Sequence, residues 1–151
     1  MDEKPPTAAR SDGSPNMERA AVRTMSRAEA LDRLQRHGFV GRVAFVVDGR
    51  PMIMPVNYLA DSDALVFCTA DGTKLSALRD GALVAFEVDD SRPADHSGWS
   101  VVVEGTASEI TDPDDLEWLR RGPLRSWAVR PSAHWIRVLY GHVSGREIPA
   151  H

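Results

Sequence analysis

The chain has 151 residues, a formal net charge of -4 and a pI of about 5.7, which suit one acidic domain with a sizeable core. The arginines are scattered among acids, which argues against nonspecific nucleic-acid binding, and the apolar runs are far shorter than the roughly 20 residues of a membrane span. The single cysteine, Cys68, excludes an internal disulfide and a cysteine-based zinc cluster, and its apolar neighbours predict a buried side chain.

The N-terminal segment is rich in proline, glycine, serine and charged residues. Such a composition cannot bury enough apolar surface to offset the entropy lost on ordering. We therefore predict a disordered tail over residues 1–24 and one folded domain over residues 25–151. The segment also lacks the apolar stretch of a secretory signal, which predicts a soluble cytoplasmic protein.

The first predicted helix lies in "SRAEALDRLQRHG". Ser26 and Glu29 have the spacing of a capping box, and Gly38 is the predicted stop. After this helix the apolar period changes to two. The predicted strands "FVGRVAFVV" and "RPMIMPVNYLA" flank Asp48-Gly49, the strongest hairpin signal in the chain.

The rest of the chain continues as short strands with two further helices. A third strand, "DALVFCTA", precedes the helix "GTKLSALRD", which we expect to end at Gly81, and "ALVAFEVDD" is the fourth strand. After the polar loop "SRPADHSG", Gly105 indicates a bulge or kink in the fifth strand, "WSVVVEGTASEI". The helix "TDPDDLEWLRRG" is capped by Thr111 or Asp112, and "AHWIRVLYGHVSGREI" is the last strand. Six short strands must hide their edges, so we predict a mainly β fold, a closed or nearly closed antiparallel barrel with short helices.

The sequence lacks the common catalytic motifs GxSxG, HExxH, GxxxxGK[ST] and GxGxxG. His134 and His142 lie on one predicted strand, too far apart to share an ion. We therefore expect no structural metal.

Two features suit a small ligand. Lys74 is the only lysine outside the N-terminal segment and follows Gly72-Thr73 at a helix start, where backbone N–H groups and the positive dipole end favour a phosphate. A helix start with nothing bound is the alternative. Pro55 removes a strand donor, and the amide of Asn57 can both donate to and accept from a heterocycle. The alternatives are an edge-strand proline and an exposed polar residue.

The order of these segments, "GRPMIMPVNY", "LVFCTA", "GTKLSAL", "VAFEVD", "GWSVVVEGTA" and "VSGREI", resembles the pyridoxamine 5'-phosphate oxidase-like family of split-barrel flavin proteins. The resemblance covers roughly residues 26–148, and its nearest form is the small members described only as FMN-binding. It implies a six-stranded split barrel and a homodimer with FMN in two grooves at the interface.

The resemblance also implies a set of cofactor-binding residues. They are Pro55, Val56 and Asn57 at the isoalloxazine, Thr69, Gly72, Thr73 and Lys74 at the ribityl phosphate, and Trp99, Ser100 and Val101 closing the site. Ser76 and Arg79 are possible supplements, with a solvated surface charge as the alternative for Arg79. Trp127 and Trp135 are candidates to reach the partner's flavin, with core or interface packing as the alternative.

The chain departs from the true pyridoxamine-phosphate oxidases because its C-terminal "SGREIPAH" has one arginine, Arg146, where those enzymes carry several basic residues. Oxidation of vitamin B6 is therefore not expected. Three functions remain open: an FMN-dependent oxidoreductase of unknown substrate, a flavin carrier or sensor without turnover, and a relative that binds the deazaflavin F420 or a tetrapyrrole in the same groove.

Overall fold

A computed structural model describes residues 21–70, 72–122 and 133–150. The helices are α1 (Arg27–Arg36), α2 (Thr73–Leu78) and α3 (Pro113–Arg121). The strands are β1 (Arg23–Met25), β2 (Val40–Val47), β3 (Arg50–Ala60), β4 (Ala64–Thr69), β5 (Asp80–Arg92), β6 (Ser97–Glu109) and β7 (His134–Ile148). Within these residues no helix is long and apolar enough to cross a membrane.

Six strands form a closed antiparallel ring in the order β7-β4-β3-β2-β5-β6, and pairing of β6 with β7 closes it. The predicted barrel is confirmed. The ring has no free ends because each strand pairs with a neighbour on both sides for at least part of its length. The inner face carries the core, which includes Val43, Phe67, Phe86, Val103 and Ile136, all fully buried.

A seventh strand, β1, lies outside the ring and pairs with the end of β7. The sequence analysis placed two of its residues, Arg23 and Thr24, in the tail. Met25 is 6% exposed and joins the core, while Arg23 binds Glu29 and Glu147. This short strand is stabilised by contacts with residues distant in sequence. Local composition does not contain that information, so the sequence did not predict the strand.

The predicted capping signals are confirmed. Ser26 and Glu29 form both bonds of the capping box of α1, and Asp112 caps α3 by accepting from the N–H groups of Asp114 and Asp115. Asp48 and Gly49 both have positive φ, as a tight hairpin turn requires. The register of β6 on β7 shifts between Glu104 and Gly105, which confirms the predicted bulge.

Two boundaries differ from the predictions. Helix α2 ends at Leu78, before Gly81, because β5 already pairs with β6 at Asp80. The predicted polar loop after the fourth strand is shorter than expected, since pairing of β5 with β6 continues to Arg92 and Ser97 and leaves only residues 93–96 as a 3-10 helix and turn. Long-range pairing thus shortened the loop that the local composition favoured.

The helices pack on different parts of the barrel. Ala30 and Leu34 of α1 and Leu75 and Leu78 of α2 are buried in the barrel core. Helix α3 covers the outside, where Leu119 packs with Ile110 and Trp135 in a second, smaller core. Cys68 packs against this second core but is only partly buried, less than the buried side chain that was predicted.

Candidate functional site

The ring opens between β3 and β4. Strand β3 pairs with β2 all along Arg50–Asn57 but pairs with β4 only over Tyr58–Ala60. Strand β4 continues to Thr69 on its other side, where it pairs with β7. The two strands therefore diverge, and among the described residues the β4-facing edge of Arg50–Asn57 has no strand partner. We call this opening the β3–β4 gap.

Pro55, Val56 and Asn57 border the β3–β4 gap, but their side chains point to different faces. Val56 is 9% exposed and belongs to the barrel core. Pro55 is exposed and Asn57 half-buried, both on the outer face. A ligand in the gap would therefore meet the Asn57 amide and the backbone of Val56, not the Val56 side chain.

Arg42 is a further outer-face residue that the sequence analysis did not select. It lies opposite both Pro55 on β3 and Glu87 on β5. Its Nη1 binds Glu87 Oε2 and Asp89 Oδ1, each at 2.9 Å. Ser100 in turn lies opposite Asp89. Arg42 thus lies between the strand that carries Pro55 and the strand that pairs with Ser100. The sequence could have indicated Arg42 as a candidate, because it is the one charged residue in β2.

Only Ser100 of the predicted group Trp99, Ser100 and Val101 lies on the outer face. Val101 is fully buried in the core. Trp99 packs under α1, where its ring meets the His37 ring edge-on at 4.7 Å and lies 5.4 Å from the guanidinium carbon of Arg33. Because successive strand residues alternate faces, the structure separates these two side chains from Ser100.

The predicted phosphate turn follows Thr69, the last residue of β4. Gly72 caps α2 with a φ of 137°, a conformation that favours glycine, and no side chain caps the helix. Thr73 and Lys74 are exposed, and among the described residues Lys74 makes no hydrogen bond or ion pair. The Ser76 hydroxyl lies 3.4 Å from the Gly72 carbonyl oxygen. The lysine ammonium is thus available to a ligand.

The structure contradicts the solvated-charge alternative for Arg79, and its role as a supplement to the phosphate site stays a prediction. Its Nη2 and Nε bind Glu109 Oε2 at 2.7 and 3.0 Å, and His134 Nδ1 lies 2.5 Å from the other oxygen of the same carboxylate. The Arg79 guanidinium holds the pKa of Glu109 below its usual range, against the opposing effect of burial. Arg79 is therefore part of an ion-paired cluster and is not a solvated charge.

The structure describes one of the two tryptophan candidates, Trp135, but not the other, Trp127. Trp135 is 3% exposed and packs beneath α3 with Ile110 and Leu119, which supports the packing alternative. We therefore do not carry it into the proposed site. Trp127 lies outside the described residues.

An apolar surface covers the outside of β2, β3 and β5. Ala44 lies opposite Ile53 on one side and Ala85 on the other, and Val46 lies opposite Pro51. An open groove of about 630 Å³ runs from this region to β6 and β7, where Glu104, Thr106 and His142 also line it. We call the apolar surface on β2, β3 and β5 the outer apolar face, and it consists of Ala44, Val46, Pro51, Ile53, Leu83 and Ala85.

The antiparallel ring with an opening between two strands defines a split barrel. The sequence matches the pyridoxamine 5'-phosphate oxidase family over residues 26–147, so the chain belongs to that family. An uncharacterised protein of Mycobacterium tuberculosis is 35% identical over 118 residues, which cover 72% of this chain and 78% of that protein.

Two solved structures share both fold and sequence with the chain. An FAD-binding protein from Mycobacterium smegmatis is 33% identical, with a TM-score of 0.72 and coverage of 85% of this chain and 100% of that one. An FAD-binding protein from Mesorhizobium loti is 28% identical, with a TM-score of 0.70 and coverage of 85% and 99%.

Proposed function

We propose that this chain binds a flavin along the β3–β4 gap and acts as a flavin-dependent oxidoreductase on a small molecule. The observation that carries the proposal is the edge of β3 at Pro55–Asn57, which has no strand partner on its β4 side among the described residues, together with the exposed Lys74 on the segment that follows β4, which makes no ion pair within that part of the chain. The FAD-binding relatives at 33% and 28% identity support a flavin as the ligand.

The residues at the β3–β4 gap fit the ring of a flavin. An isoalloxazine has a polar edge of carbonyl oxygens and ring nitrogens, which requires both donors and acceptors. The Asn57 amide offers both, and the backbone edge of β3 at the β3–β4 gap offers further donors and acceptors. Ser100, on the same outer face, adds a hydroxyl.

The segment after β4 fits a phosphate. Lys74 supplies a compact positive charge, while Thr69 and Thr73 supply hydroxyl groups. The two leucines of α2 are buried, so the helix is fixed on the core while its polar residues stay exposed. These groups account for the mononucleotide part of a flavin, and FMN is the form we propose.

FAD is the second candidate, because two relatives bind it. Both molecules share the isoalloxazine, the ribityl chain and the first phosphate. A site that recognises only those parts would accept either FMN or FAD. Competition between the two for the same site shows which one binds more tightly.

A bound flavin supplies hydride or electron transfer, and the chain supplies binding and orientation. Pro55 and Asn57 would hold one edge of the ring while Lys74 anchors the other end of the molecule. A flavin carrier or sensor would use the same contacts without turnover, so a reductant test is needed to separate the two functions.

We also propose a homodimer in which the partner covers the flavin. Pro55 and Lys74 are exposed, so one subunit leaves the site open to water. The outer apolar face contains Leu83, 82% exposed, and Ile53, 66% exposed, around the smaller Ala44 and Ala85. A two-fold axis would place these projecting side chains over the partner's small ones and bury both surfaces.

The test begins with the protein as purified. Its absorption spectrum and the mass of any ligand released on denaturation identify a bound flavin, and calorimetric titration of the ligand-free protein with FMN and FAD ranks the two. Bleaching by NADH or NADPH without oxygen, followed by reoxidation by an added acceptor, supports an oxidoreductase. Failure of both flavins to bind would defeat the proposal, while binding without reduction by any donor would favour a carrier.

A further inference from the structure

The Glu109 carboxylate joins two elements at the end of the barrel where β4 ends and β5 begins. One oxygen, Oε2, accepts from Nη2 and Nε of Arg79 at 2.7 and 3.0 Å. The other, Oε1, lies 2.5 Å from His134 Nδ1. One side chain therefore contacts the end of α2 and the start of β7 at the same time.

The contact with Arg79 fixes the end of α2. Arg79 is the C-cap residue of this helix, and its carbonyl oxygen also accepts from the Glu109 N–H at 3.0 Å. Backbone and side chain thus hold the same residue to the end of β6. A six-residue helix is too short to be stable by itself, so such contacts decide its position.

The contact with His134 reaches the other end of the same segment. His134 lies opposite Thr69 in the pairing of β7 with β4, and Thr69 is the last strand residue before the turn that leads to Lys74. Residues 69–79 therefore leave the barrel beside His134 and return to it at Arg79. Glu109 contacts Arg79 directly at one end and, at the other end, contacts His134, the strand partner of Thr69.

The surroundings of Glu109 make these contacts stronger than an exposed ion pair. Its side chain is 16% exposed, against 27% for His134 and 39% for Arg79. The hydrogen bonds from Arg79 lower the pKa of the Glu109 carboxyl, so it stays ionised to a more acidic pH than an ordinary glutamate. Partial exclusion of water reduces screening of the charge, and an amide in its place would lose the charge assistance to Arg79.

We propose that Glu109 is a positioning residue which fixes both ends of the 69–79 segment and thereby sets the affinity of Lys74 and its neighbours for the flavin phosphate. The inference rests on the proposed function for the role of the segment. Glu109 itself need not touch the ligand.

The test compares Glu109→Gln with Glu147→Gln. Glu147 is a matched control because it is 20% exposed and also joins two arginines, Arg23 and Arg33, at a distance from α2. Hydrogen exchange is measured at the amides of Ser76 and Arg79, which donate to Gly72 and Leu75. We expect Glu109→Gln to speed this exchange about tenfold and to weaken flavin binding about tenfold, and the control to change neither at comparable thermal stability.

Arg79→Gln provides a second variant if Glu109→Gln fails to fold, and the same two changes are expected. Unchanged exchange at Ser76 and Arg79 would overturn the inference while leaving the proposed function intact. Faster exchange with unchanged flavin affinity would overturn the link between Glu109 and the ligand. Equal losses of affinity in both glutamate variants would assign the effect to general destabilisation and also overturn it. If the unsubstituted chain binds no flavin, the proposed function fails, and exchange in α2 still decides whether Glu109 fixes the segment.

Discussion

Lys74 and Arg79 lie on the same short segment, and their surroundings differ sharply. Arg79 is neutralised by Glu109, whereas Lys74 is exposed and makes no ion pair among the described residues. The Glu109 carboxylate already offsets the charge of the Arg79 guanidinium, while an exposed ammonium can bind an anion at small cost in desolvation. Lys74 is therefore the basic residue of α2 that we expect to bind a phosphate.

Lys74→Ala should weaken flavin binding by about 1.5 to 3 kcal/mol, the range for a hydrogen bond to a charged group, without unfolding the barrel. Isothermal titration measures the affinity, and Arg120→Ala on α3 is a control that removes an exposed charge elsewhere. Unchanged affinity in Lys74→Ala would remove this residue from the site.

Tyr58 is a buried titratable residue that makes the stability of the core depend on pH. Its side chain is 1% exposed and its hydroxyl donates to the Leu34 carbonyl at 2.7 Å. Burial raises the pKa of Tyr58 to about 12 from 10.0. The folded protein thus disfavours the phenolate form of Tyr58. The neutral phenol therefore contributes fully to stability below the pKa of tyrosine in the unfolded chain, and this contribution is lost as pH rises towards the pKa of Tyr58 in the folded chain.

Between pH 8 and pH 11, the free energy of unfolding of the unsubstituted chain should fall by about 1.4 kcal/mol more than that of Tyr58→Phe. One pKa unit corresponds to that amount. The variant should be less stable at pH 8 by about 1 kcal/mol through loss of the hydrogen bond. Urea denaturation of both proteins at the two pH values measures the difference. Identical pH dependence would contradict the prediction.

At the scale of elements, close backbone approach explains the bulge in β6. A Cβ atom at Gly105 would lie 2.2 Å from the Leu139 carbonyl oxygen and 2.8 Å from a Val138 methyl group. A main-chain oxygen cannot move without disturbing the pairing of β6 with β7. The glycine therefore permits a close approach of the two strands that complete the ring.

Gly105→Ala should reduce the free energy of unfolding by about 1 to 3 kcal/mol, as overpacking of a tight site does. Gly122→Ala is the control, because the nearest atoms to its added carbon lie at 3.4 Å and its φ is -76°. That variant should stay within about 0.5 kcal/mol of the unsubstituted chain. Chemical denaturation measures both, and equal stabilities would show that β6 and β7 adjust freely.

The helices and strands also show which structural features local sequence can predict. The capping box at Ser26, the Asp48-Gly49 turn and the bulge at Gly105 were predictable because each depends on neighbouring residues or on one residue type. The end of α2 and the length of β5 were not, since pairing with β6 decides both.

At the scale of the whole molecule, β1 is the first element of the described residues. Its first residue, Arg23, lies opposite Glu147 in the pairing with β7, and its last, Met25, is buried. Val22, immediately before it, is 58% exposed. The strand holds α1 against the barrel through the bonds of Arg23 to Glu29 and Glu147.

Deletion of residues 1–22 should leave the melting temperature and flavin content unchanged, while deletion of residues 1–25 should lower the melting temperature because it also removes β1 and the buried Met25. Thermal denaturation of the two truncated chains measures the contrast. A substantial fall after the shorter deletion would mean that the tail contributes to the fold.

The proposed dimer predicts a second whole-molecule property. Leu83→Glu should weaken self-association at least about tenfold, because a charge would be buried in the outer apolar face. Trp118→Glu, on α3 and 64% exposed, is the control and should leave association unchanged. Sedimentation at low micromolar concentration, with and without FMN, tests both, and FMN should stabilise the dimer. A stable monomer with full flavin affinity would defeat the dimer and the shared site.

The sequence by itself determined the strand-rich pattern, the helix caps, the hairpin and the candidate residues Pro55, Asn57 and Lys74, because these depend on periodicity and on local chemistry. Only the tertiary structure decided which candidates face outwards. Val56 and Val101 were buried and Trp99 was placed under α1 by strand register and closure of the ring. The pairing of Arg79 with Glu109, and of Glu109 with His134, likewise depends on where three elements end in space. Those positions follow from long-range pairing, which no window of the sequence contains.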